Sequence, residues 1–185
     1  GKCVKCTKKI NGSYLLNEIF AATLLIYLIN LLGPVNPVTW LIFSIAMILY
    51  VQALMDLKTL LLSQPLSFLL IVIGLVANIG FEIFAVPLNA LLGLVFGYGL
   101  LFSINQLYKM LRSQDGIGSG DFLLLSGIGS ILGASAIGPI LLLGSSLTIC
   151  IHVIRKDPQT KELPLGFGLG FGAILYLLML ITLMQ

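Results

Sequence analysis

Apolar residues fill this chain in seven runs, separated by short stretches where glycine, proline and charged residues collect. The runs cover 15–32, 37–57, 66–81, 87–109, 121–133, 136–154 and 164–184. Most have about 20 residues, the length at which a helix crosses the hydrocarbon core of a bilayer. The fifth and sixth could be read as one helix, but 121–154 would then be about 51 Å long against a core of about 30 Å. Gly133, Gly138 and Pro139 are expected to break it. The pattern therefore predicts an all-α, polytopic membrane protein with seven membrane helices in this chain.

Composition removes the soluble alternative. Of 185 residues 58% are hydrophobic and 9% are charged, against about 45–50% and 25% in ordinary soluble domains. Charge also sets an orientation. With seven spans and the Lys-rich start in the cytoplasm, Lys2, Lys5, Lys8, Lys9, Lys58, Lys109, Arg112, Arg155, Lys156 and Lys161 all fall inside. The opposite connections at 33–36, 82–86 and 133–135 contain no Lys or Arg, as the positive-inside rule requires. The C-terminus is then outside. Topology accounts for the net charge of +3, so no nucleic-acid partner is expected.

Three cysteines do not make a disulfide framework. Cys3 and Cys6 form a C-x-x-C beside four lysines, which points to a reducing cytoplasmic face. Cys150, inside an apolar run, reads as a small buried hydrophobe. Gly1 is not an initiator Met and no secretory signal is seen, so a longer natural chain is expected. The expected organisation is a cytoplasmic segment, 1–14, followed by one membrane domain, 15–185. Trp40 should lie at headgroup level. Gly166 with Gly170, and Gly168 with Gly172, form two small-x-x-x-small pairs that suit close helix packing in lipid.

The acids are less easily explained. Asp157 and Glu162, Glu82, and Asp115 fall in loops and read as solvated. Glu18, Asp56 and Asp121 each border or enter an apolar run on the cytoplasmic side, where an ionisable group is costly enough to suggest function. Asp56 closes the second run in Met55-Asp56-Leu57-Lys58-Thr59, and Asp121 opens the fifth in Gly116-Ile117-Gly118-Ser119-Gly120-Asp121-Phe122. The topology puts both carboxylates at one membrane face. Two ordinary roles compete: Asp121 as an N-cap after a glycine turn, and Asp56 as an interfacial acid paired with Lys58 or another cytoplasmic base. Glycines on both sides of Ser119 go beyond a cap, because missing Cβ atoms let a substrate approach the acid. Glu18 reads first as a structural pairing group and second as a leader-contacting one. His152 reads as an interfacial residue, and Asn78, Asn89 and Asn105 as interhelical hydrogen-bonding groups.

Gly118-Ser119-Gly120-Asp121 resembles the G-x-G-D motif of membrane aspartic proteases, and other stretches narrow the resemblance to the type IV prepilin peptidases, including competence pseudopilin peptidases. Cys3 to Cys6, followed by Leu16-Asn17-Glu18-Ile19, is similar to that family's second C-x-x-C and the segment after it. Asp56-Leu57-Lys58-Thr59 resembles the first catalytic aspartate with its D-x-x-T, and Leu163-Pro164-Leu165-Gly166 the I-P-F-G that opens the last helix. The resemblance spans nearly the whole chain. The chain departs from the family at Ser63-Gln64-Pro65, where Pro-Asp is usual.

The resemblance implies eight membrane helices in the full-length protein and a site in the bacterial cytoplasmic membrane that faces the cytoplasm. It implies Asp56 and Asp121 as catalytic acids, with Gly118, Ser119, Gly120, Lys58 and Glu18 near substrate. The substrate would be a prepilin or pseudopilin, a basic leader ending in glycine followed by an apolar helix. Proteolysis by two carboxyls needs no cofactor. Bifunctional relatives also methylate the new N-terminus, which would require S-adenosylmethionine, and their four-cysteine element would bind zinc in the full-length protein. Cys3 and Cys6 supply half of a tetrahedral set. Helix polarity suggests Asp121, at a helix N-terminus, as the base and Asp56, at a C-terminus, as the acid. Two other readings compete with this one. A presenilin or signal-peptide-peptidase-like protease would need Tyr before the first acid and a Pro-Ala-Leu, both absent here. An ion-coupled transporter using Asp56 and Asp121 would place its acids near the midplane rather than at span ends.

Overall fold

The computed structural model describes residues 12–155 and 163–183. Among these the chain is all-helical, with α1 (Ser13–Leu32), α2 (Pro37–Thr59), α3 (Gln64–Phe81), α4 (Pro87–Arg112), α5 (Ser119–Leu132), α6 (Ala134–Arg155) and α7 (Leu165–Leu183). All seven expected helices are present. Six are long and apolar enough to cross a membrane, and the chain is a multi-pass membrane protein. The exception is α5, whose 14 residues span only about 21 Å.

The fifth and sixth runs do separate, though at one point rather than three. Gly133, at φ +83°, turns the chain where an L side chain would be strained. Pro139 lies inside α6 and Gly138 faces open space, so neither breaks the helix.

The chain divides into two compact units, Gly1–Met47 and Ile48–Gln185. In the first, the turn between α1 and α2 satisfies its own polar groups. Gly33 leaves α1 at φ +86°, Thr39 Oγ1 donates to the Gly33 carbonyl at 2.8 Å, and Trp40 Nε1 donates to the Pro34 carbonyl at 3.1 Å.

In the second unit α5 is the central element, buried continuously from Leu124 to Leu132. A short apolar helix can be enclosed only if its neighbours come very close, and glycine allows this. A Cβ on Gly93 of α4 would collide with the Gly129 carbonyl of α5, and one on Gly97 would stand 2.5 Å from the Leu125 carbonyl. On the α3 side a Cβ on Gly127 would meet Leu70 at 3.0 Å. Phe122 is wedged edge-on against Tyr98 and Phe102 at centroid distances of 5.8 and 6.2 Å, which fixes the rotation of α5 about its axis.

Asparagines hold the far end of α5. Asn78 of α3 donates to the Ser130 and Ile131 carbonyls, both at 2.8 Å, and accepts from the Phe84 and Ala85 amides at 3.0 Å. Asn89 of α4 accepts the Ala134 amide at 3.1 Å. These are the interhelical roles expected of them. The α7 glycines serve two neighbours, as their pairing suggests. Gly168 and Gly172 lie against Gly144 of α6, whereas Gly170 lies against Leu49 and Ala53 of α2. Cys150, expected to be buried, is exposed on the outer face of α6, where lipid would surround a chain of this kind.

Candidate active site

The helix α7 starts directly after Pro164, with no Ser, Thr, Asp or Asn in front of it to cap its first amides. Uncapped amides in an apolar setting are costly, and the cap comes from elsewhere in the chain. Asp56, near the end of α2 and 5% exposed, places Oδ2 against that first turn. Phe167 N–H donates to it at 2.8 Å across 111 positions of sequence, and the Gly166 amide faces the same carboxyl.

Asp121 is the third residue of α5. Its own N–H donates to the Gly118 carbonyl at 3.1 Å, and Gly118, not Asp121, is the N-cap residue. One end of its carboxyl stays with the Gly118 backbone, and the other turns inward. There Oδ1 is buried without a hydrogen-bond partner. A Cβ on Gly166 would stand 3.1 Å from that oxygen. Both acids therefore converge on Gly166, one through its amide and the other across the space its missing side chain leaves open, and they are within electrostatic reach of each other.

Leu62, from the connection between α2 and α3, completes the group. Its side chain would stand 2.8 Å from a Cβ on Gly166 and 2.9 Å from one on Gly120. The approach to Asp121 is anchored from α4. Asn105, 7% exposed, accepts the Gly116 and Ile117 amides at 2.8 and 3.0 Å and donates to Asp115 at 3.1 Å. Lys109 pairs with Asp115 at 3.1 Å. The Lys109 hydrogen bond, followed by that of Asn105, holds the Asp115 carboxyl below the usual carboxylate range. Asp115, read from sequence as merely solvated, thus helps to hold the turn before the G-x-G-D residues.

Other expected site residues are more dispersed. Ser119 is exposed at the first position of α5. Lys58 is exposed in the last turn of α2, and among the described residues no ion pair joins it to Asp56. Glu18 is exposed on α1, in the other unit. Cys3 and Cys6 lie outside the described residues, and among those described no three His, Cys, Asp or Glu side chains gather as a metal site. Sequence reasoning missed Leu62 and assigned Asn105 to helix pairing. The missing cap before α7 was the available signal that another residue must reach its amides.

Residues 41–154 match the family model of the type IV leader peptidases. The chain belongs to that family. Similar curated relatives are the prepilin leader peptidase/N-methyltransferases of Aeromonas salmonicida, 33% identical over 180 residues, and of Neisseria gonorrhoeae, 34% identical over 172 residues. The match covers 90% of this chain in both cases, and 58% and 57% of the relatives. In the Pseudomonas aeruginosa relative it is 33% identical over 174 residues, 91% of this chain and 58% of the relative. The chain thus spans somewhat over half the length of these proteins. No solved structure matches it. Membership agrees with the sequence resemblance and disfavours both the presenilin-like and the transporter readings.

Proposed function

We propose that this chain carries the two-aspartate centre of a membrane aspartic endopeptidase that removes the basic leader of a prepilin or pseudopilin. The observation that carries the reading is the convergence of Asp56 and Asp121 on Gly166, within a chain of the leader peptidase family. Hydrolysis by two carboxyls needs one charged and one protonated, and close acids titrate as a pair. Helix polarity, read from α2 and α5 alone, makes Asp121 the base. The fold brings in a third helix. Asp56 receives two amides of the first turn of α7, which favour negative charge, whereas Asp121 has the Gly118 backbone alone and its Oδ1 has no donor. We therefore assign Asp56 as the base and Asp121 as the acid, reversing the sequence-based assignment.

In this scheme Asp56 takes a proton from water as its oxygen attacks the scissile carbonyl, and Asp121 gives its proton to the carbonyl oxygen. Collapse of the tetrahedral intermediate breaks the C–N bond as the proton held by Asp56 passes to the departing amine and a hydroxyl proton of the intermediate returns to Asp121. The basic residues favour placing this centre at the cytoplasmic face, where a leader stays in water while the following helix lies in the bilayer; the C-terminus is then outside.

The relatives' names pair cleavage with methyl transfer. A cavity of about 560 Å³ between α3, α4 and α5 is lined by residues such as Phe68, Leu94, Tyr98 and Leu123 and offers no charged side chain to hold the sulfonium or carboxylate of S-adenosylmethionine. The proposal is confined to hydrolysis. The test is incubation of the full-length protein in membranes with a prepilin, with the products identified by mass spectrometry. A single cut after the leader glycine is expected. An uncut prepilin, with proton-coupled flux in liposomes, would instead support a transporter.

A further inference from the structure

Beside the two acids the walls lack side chains, and one side chain from elsewhere stands against them. To react, a scissile carbonyl must come within hydrogen-bond reach of both carboxyls, about 2.6–3.2 Å. The walls there are Gly166, beside Asp121 Oδ1 and bonded through its turn to Asp56, and Gly120, next to Asp121 in the chain. Leu62 crowds both vacated Cβ positions, its δ-carbon 2.8 Å from that of Gly166 and its β-carbon 2.9 Å from that of Gly120. It is held there by the backbone. Leu60 donates its N–H to the Asp56 carbonyl at 2.9 Å and turns the chain at φ +54°. Past Leu62, the Ser67 N–H donates to the Ser63 carbonyl at 3.2 Å. The position of Leu62 is thus keyed to the turn that carries Asp56.

A peptide that brings its carbonyl to the acids sets the α-carbon attached to that carbonyl against Leu62. A hydrogen fits there, whereas a methyl or anything larger competes with the leucine δ-carbons. We propose that Leu62 is a specificity-determining residue, the side chain that restricts the position before the scissile bond to glycine. The assignment rests on the leader-peptidase reading above.

The test uses the purified full-length protein in lipid and two leader peptides that differ only in Gly or Ala before the scissile bond. The quantity measured is the ratio of kcat/KM for the Ala peptide to that for the Gly peptide, from which the fraction of folded enzyme cancels. Leu62→Ala raises this ratio at least about tenfold over the parent, the lower end of what one methyl group is worth in a pocket. Leu62→Val raises it less, in the same direction, and decides the matter if the alanine variant does not accumulate. A ratio unchanged from the parent overturns the assignment of Leu62. Failure of the parent protein to cut even the Gly peptide overturns the leader-peptidase reading itself, and the two failures are distinct.

Discussion

Gly166→Ala tests the packing of the site against its chemistry. The new methyl would lie 2.8 and 3.0 Å from the Leu62 δ-carbons and 3.1 Å from Asp121 Oδ1. The leucine end can swing aside, but Asp121 must then give by a few tenths of an ångström or more. Overpacking of this kind costs about 1–3 kcal/mol, and replacing glycine by alanine within a helix returns about 0.8–1 kcal/mol. The net loss of stability is about 0–2 kcal/mol. A reacting group misplaced by about 1 Å costs about 10²-fold in rate, equivalent to about 2.7 kcal/mol of barrier. Asp121 shifts by a fraction of that distance, so activity should fall by about tenfold or more. The assay is single-turnover leader cleavage beside thermal unfolding in detergent, with Gly138→Ala as the control, since a Cβ at Gly138 meets nothing within 4 Å. Cleavage by Gly166→Ala within about threefold of the parent would refute the placement of both acids around this glycine.

Three further outcomes follow from the frame around α5. Gly93→Ala sets a methyl against the Gly129 carbonyl, a backbone contact that cannot swing away; accumulation in the membrane and the unfolding temperature should both drop, by about 1–3 kcal/mol or more. Asn105→Ala strands the Gly116 and Ile117 amides at a cost of about 1–3 kcal/mol, and hydrogen exchange should rise at 113–118 while α3 is unchanged. The third concerns pH. The carboxyl of Asp115 is held below its ordinary value by Lys109 and Asn105, so its support of the turn is fully present above the unfolded value of about 3.9 and is lost as pH falls through the lower folded value. Exchange at Gly116 and Ile117 should quicken over that acid range, and Asp115→Asn should flatten the response.

Much of this was legible from the sequence because membrane physics leaves few choices. Runs of about 20 apolar residues must be helices, and the sequence boundaries lie within about three residues of α1, α2, α3, α4 and α7. The short fifth element was legible through its glycines. Both acids stood out because carboxyls are rare beside apolar runs. What stayed hidden depends on distant contacts. That Asp56 caps α7 needs a bond across 111 positions, and no periodicity within α2 encodes it. This same bond is what favours Asp56 as the base in the mechanism proposed above, since helix polarity read locally considers only the helix that a residue belongs to. Leu62 resembles every other leucine in the chain until the fold sets it on two glycines. Asn105 looks like a helix-pairing asparagine and Asp115 like a solvated loop acid until their partners are known.

The most direct test of the central claim is leader cleavage by Asp56→Asn and Asp121→Asn, compared with the parent full-length protein at matched membrane levels. The account predicts that each near-isosteric replacement abolishes cleavage while the protein still accumulates. Normal cleavage by either variant would show that the residue is not part of a catalytic pair and would contradict the account.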